Sequence, residues 1–81
     1  MDKKTLQEWI RTGREIEFEV NGVNYSLTNF MEGNEVYLSF CEFYKETLDV
    51  KDFDTLWNST YKGMKFSDLW ESVRYDDITL Y

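Results

Sequence analysis

The side chains able to do chemistry in this chain are carboxylates. Glu15, Glu17 and Glu19 alternate with Ile16, Phe18 and Val20, and Asn21-Gly22 follows at once. Alternation with a period of two puts the three acids on one face of a strand and the three apolar residues on the other. Asn-Gly is the dipeptide favoured by a two-residue hairpin turn of type I′. In that hairpin Val20 lies opposite Val23, Phe18 opposite Tyr25 and Ile16 opposite Leu27. The second face then sets Glu15, Glu17 and Glu19 against Thr28, Ser26 and Asn24, with no Lys or Arg directly across. Successive acids stand about 6.6–6.8 Å apart along such a strand, close to the separation of neighbouring phosphates on one nucleic-acid strand, so the row could imitate a phosphate backbone. Two readings fit it. One is a solvated face whose charge keeps the sheet from aggregating, and the other is a dedicated acidic binding surface.

More acids follow. Glu32, Glu35, Glu42, Glu46, Asp49, Asp52 and Asp54 stand against only Lys45 and Lys51 between residues 31 and 60. The formal charge of the 81 residues is −7, which argues against direct binding to nucleic acid or to an anionic membrane and makes a charged partner basic. Without histidine there is no imidazole for a triad, a proton relay or a common zinc site. The single cysteine, Cys41, has no evident partner base and reads as a small half-buried apolar residue. Asp49, Asp52 and Asp54 lack the glycine and terminal glutamate of a calcium loop, and helix capping accounts for them. The chain therefore reads as a non-enzyme without metal or cofactor.

Three Trp, six Tyr and six Phe in 81 residues supply a dense core for one small α+β domain. Leu6, Trp9 and Ile10 have helical spacing and Gly13 stands where a cap would, which predicts a helix from about Lys3 to Thr12. On so short a helix Trp9 could be half exposed, as interface anchors often are. After the hairpin, a turn around Glu32-Gly33-Asn34 leads to a third strand from Val36. Either that strand is covered on both faces, or it bends after Phe40 so that Phe43 and Tyr44 cap an edge of the core. Phe53-Asp54-Thr55-Leu56-Trp57-Asn58-Ser59 and Phe66-Ser67-Asp68-Leu69-Trp70-Glu71-Ser72 share F-x-x-L-W-x-S and predict two short helices, capped by Asp52 (or Asp49) and Ser67, with Gly63 between them as a C-cap or turn. The predicted fold is a three-stranded antiparallel sheet with helices on one face, in the order α-β-β-β-α-α. Asp77-Ile78-Thr79-Leu80-Tyr81 could add a fourth, edge strand. With no signal-peptide pattern and no long apolar run, a reducing cytoplasm is the expected compartment.

The chain as a whole resembles the short, acidic, aromatic-rich proteins encoded by phages and mobile elements of Gram-positive bacteria with low genomic GC content. The likeness rests on size, on Gly13-Arg14-Glu15-Ile16-Glu17-Phe18 leading into Asn21-Gly22, and on Phe40-Cys41-Glu42-Phe43-Tyr44 followed by the two F-x-x-L-W units. Proteins of that kind include anti-CRISPR and anti-restriction proteins that act as acidic inhibitors on a nucleic-acid site. The resemblance implies inhibition and transfers no functional residue. Locally, Phe53-Asp54-Thr55-Leu56-Trp57-Asn58 is similar to a helix of the barstar ribonuclease inhibitors, though the order of elements departs from barstar's parallel sheet. The reading that combines charge and patterning is an acidic module that binds a basic protein surface, such as that of a nucleic-acid-binding protein. Its candidate contacts are Glu15, Glu17, Glu19, Glu42, Glu46, Asp49 and Trp9. The alternative is an adaptor that binds through exposed Trp9, Tyr37, Phe43 or Tyr81, with acidity serving solubility alone.

Overall fold

In the computed structural model, which describes residues 1–81, Asn21 and Gly22 both adopt positive φ, 51° and 81°, as a type I′ turn requires. They join strand β1 (Ile16–Val20) to β2 (Val23–Glu32). The register is the predicted one: Ile16 faces Leu27, Phe18 faces Tyr25 and Val20 faces Val23. Gly33, at φ 64°, then turns β2 into β3 (Glu35–Glu42), which pairs with it antiparallel from Glu32–Glu35 to Tyr25–Glu42.

The sheet is larger than predicted. It has five antiparallel strands in the order β4-β3-β2-β1-β7, where β4 is Leu48–Val50 and β7 is Ile78–Leu80. The C-terminal strand pairs with β1, setting Ile16 against Leu80 and Phe18 against Ile78. The first hairpin is thereby enclosed on both sides. A second, two-stranded sheet, β5 (Thr60–Tyr61) with β6 (Met64–Lys65), lies between the last two helices. Gly63 therefore turns a hairpin, with Lys62 at φ 49° and Gly63 at 81°, and caps no helix.

Helix α1 (Lys3–Arg11) starts at Asp2, whose carboxylate accepts from the Thr5 N–H. Helix α2 (Phe53–Trp57) starts at Asp52, which accepts from the Thr55 N–H at 2.7 Å. Hydrogen bonding from the Thr5 and Thr55 side chains, with these backbone bonds beside it, holds both aspartate carboxyls below the usual range. Ser67 is not a cap. Helix α3 (Phe66–Glu71) follows β6 directly, with Lys65 at the N-cap position and no side-chain bond there. The Phe66 N–H instead donates to the Ser59 carbonyl.

All three helices contribute to one core on one face of the sheet. Inward-facing Ile16, Phe18, Tyr25, Leu27, Leu38, Phe40 and Val50 meet Leu6, Leu56, Phe66, Leu69 and Trp70 there, and no polar or charged residue is buried. Phe18 is stacked with Tyr25 and meets Trp70 edge-on, at ring separations of 5.4 and 5.3 Å. The Trp70 indole N–H donates to the Asp2 carbonyl at 2.9 Å, so its one polar atom is satisfied and ties α1 to α3.

The two F-x-x-L-W units do different work. Trp70 is 0% exposed, whereas Trp57 lies half-buried at the rim, stacked on Phe53 and under the Lys3 ammonium. Trp70→Ala should cost about 3–5 kcal/mol, and Trp57→Ala about 1–2 kcal/mol. Urea unfolding of the two variants checks the order; equal losses would place both indoles in equivalent surroundings.

Candidate functional site

Every side chain on the sheet face opposite the helices is exposed or only half-buried. Alternation and register assign its members. Across the middle of the face run Cys41, Ser26, Glu17 and Thr79, and next to them Phe43, Asn24 and Glu19. Neither expectation for β3 holds, since no element covers its outer face and Phe43 lies on that open face. At Tyr44, φ 66° and 98% exposed, the chain leaves the sheet without capping the core.

The glutamate row is on this face as predicted. Glu15 and Glu19 are exposed and Glu17 is half-exposed. The Glu15 carbonyl accepts from the Tyr81 N–H, and the Glu17 carboxylate accepts from the Tyr81 hydroxyl at 2.8 Å. That hydrogen bond, reinforced by the nearby charges, raises the Tyr81 phenol above its usual range. Asp49 belongs to the same face, because Leu48 and Val50 on either side of it point into the core. It stands on β4, three strand spacings or about 14 Å from β1, with Ser39 and Thr28 in between.

The other predicted contacts lie elsewhere. Glu42 sits opposite Tyr25, on the helix-facing side of the sheet, and both Glu42 and Glu46 are within 4 Å of the Lys62 ammonium. The Tyr61 hydroxyl completes this clasp, donating to the Glu46 carbonyl at 2.7 Å and accepting from the Glu42 N–H at 3.0 Å. Lys62 and Tyr61 thus join the β3–β4 turn to the small hairpin, and the one lysine offsets half of the charge of these two acids. Trp9 is half-buried and edge-on to Trp70 on the helix side, away from the glutamate row.

Two acids absent from the predicted set join the row. Asp76 and Asp77, in a single 3₁₀ turn (Tyr75–Asp77) before β7, line a shallow depression of about 310 Å³ together with Glu17, Glu19, Asn24 and Phe43. The sequence signal was their position directly before an alternating segment, which becomes informative only once that segment pairs with β1. None of Glu15, Glu17, Glu19, Asp49, Asp76 and Asp77 takes part in any of the four ion pairs, which join Arg11 to Glu8, Lys51 to Glu35, and Lys62 to Glu42 and Glu46. The open face therefore carries uncompensated negative charge. The acids are spread along strands and a turn, and no three of them converge closely enough to hold a metal ion. No helix is long and apolar enough to cross a membrane.

No family model matches the chain, and no curated protein or solved structure matches it either.

Glu17→Gln removes the charged acceptor of the Tyr81 hydroxyl, so the Tyr81 phenol should lose its proton at a lower pH in the variant than in the parent. Ring resonances of Tyr81 followed from neutral to alkaline pH report this directly. An unchanged midpoint would mean that the C-terminal strand does not bring the two side chains together.

Proposed function

We propose that the chain is a non-enzymatic acidic binding module that docks the open face of its sheet on a basic protein surface, and that it inhibits by covering a nucleic-acid-binding site of its target. The observation that carries this reading is the set of six carboxylates on or beside that face with no cation of their own. Acids kept only for solubility are well served by exposed ion pairs and mixed signs, whereas a one-signed field steers association with an opposite surface. The spacing of Glu15, Glu17 and Glu19 along one strand suits the phosphate-like register that a basic groove accepts. The resemblance to small acidic phage and mobile-element proteins supports the inhibitory form of the proposal.

A second reading has its own observation. Beyond β1 and β4, the ends of β2 and β3 continue as a two-stranded arm. Met31 and Val36 pair on one side of it, 69% and 54% exposed, and Phe30 stacks on Tyr37 on the other side. An adaptor could grip an apolar partner with this arm, leaving the acids a solubilising role.

Replacing Glu15, Glu17 and Glu19 together by Gln separates the two. The fold should survive, since the ladder hydrogen bonds are made by the backbone. Charge-assisted contacts are worth roughly 1.5–3 kcal/mol each. Affinity for the partner isolated from the source cell should therefore fall by about two orders of magnitude or more at low salt. Added salt should weaken the parent much more than the variant. Equal affinities at low salt would favour the arm.

A further inference from the structure

The open acidic face has an aromatic corner at the end of β3. Phe43 forms the wall between the depression lined by Glu17, Glu19, Asp76 and Asp77 and a second one, of about 290 Å³, lined by Glu17, Ser26, Cys41 and Tyr44. The Tyr44 ring stands edge-on to Phe43 at 6.0 Å and 80°, with both its faces in water. It has no hydrogen-bond partner and packs nothing into the core. A left-handed turn position is served at lower cost by Asn or Gly than by a bulky aromatic residue, so the local fold gives no account of this side chain.

We infer that this corner receives arginine side chains of the partner, an inference that rests on the open face being the binding surface. A guanidinium is planar and weakly hydrated, so it can lie flat on an aromatic ring while its N–H fork reaches carboxylates at the ring's edge. Glu17 lines both depressions, on either side of Phe43, and Glu19, Asp76 and Asp77 ring the first. A lysine ammonium, compact and strongly hydrated, gains from the carboxylates but much less from the rings. Nucleic-acid bases also stack on exposed aromatics, but here their phosphates would meet four unpaired carboxylates, which sets a cationic protein segment above a nucleic acid. Lys45 follows Tyr44 in the chain, forms no ion pair, and is one cation against those four acids.

The test is an amide NMR titration with hexa-arginine and, separately, hexa-lysine in about 50 mM salt. The parent should bind hexa-arginine about tenfold more tightly, with the largest shifts at Phe43, Tyr44, Glu17 and Asp77. In Tyr44→Asn, which suits the left-handed backbone and so keeps the fold, and in Phe43→Leu, the two peptides should bind alike. Equal affinity of the parent for both peptides, with shifts on the acidic face, would overturn the arginine corner and leave the acidic face standing. An arginine preference that survives both substitutions would also overturn it. Absence of binding by either peptide would overturn the corner and the acidic-face reading together.

Discussion

Phe18 lies between Tyr25, Phe40 and Trp70 at ring separations of 5.4, 6.1 and 5.3 Å, and the rest of the molecule depends on which face of the sheet this ring occupies. Side chains alternate along a strand, so a ring held inward sends Glu17 and Glu19 outward. A slip of one residue would exchange the two sets and bury acids at several kcal/mol each. The core tolerates no such exchange, since none of its 14 buried residues is polar or charged. One packing interaction therefore fixes the register, the one-sided placement of the helices and the position of the acidic row.

What the sequence disclosed follows the reach of each signal. The first hairpin was legible to the residue because its turn chemistry and its alternation are local and agree with one another. The Asp52 cap works within three residues and is legible for that reason. Strand β4 was missed because three residues carry too little periodicity, and its place is set by pairing with Leu38–Phe40. The β5–β6 hairpin was missed because Lys62-Gly63 puts a lysine where Asn or Asp would have announced the turn. Ser67 looked like a cap while β6 was unseen. Once β6 feeds α3 directly, the Phe66 N–H already has the Ser59 carbonyl.

The site divides along the same line. Glu15, Glu17 and Glu19 reach the open face by alternation, which the sequence displays, whereas Asp49 does so through the pairing of β4 with β3. Glu42 and Glu46 share Lys62, a lysine distant in sequence that the fold brings back to them and that offsets one of their two charges. Asp76 and Asp77 join the row through the pairing of β7 with β1, which composition alone could not establish. The long-range contacts thus concentrate negative charge toward the β1–β7 side of the face, and the turn after β3 sets Phe43 and Tyr44 beside it.

The claim on which the account turns is that the sheet is covered on one face only. Cys41 is a built-in probe, the sole cysteine, half-exposed on the open face with the Ser26 hydroxyl 3.5 Å from its sulfur. Alkylation of the native protein by iodoacetamide, followed by mass, reads its access without unfolding the chain. An open face predicts labelling within about tenfold of the rate in denaturant. A rate slowed by about a thousandfold or more, tracking global unfolding, would mean that the face is covered and would contradict the account.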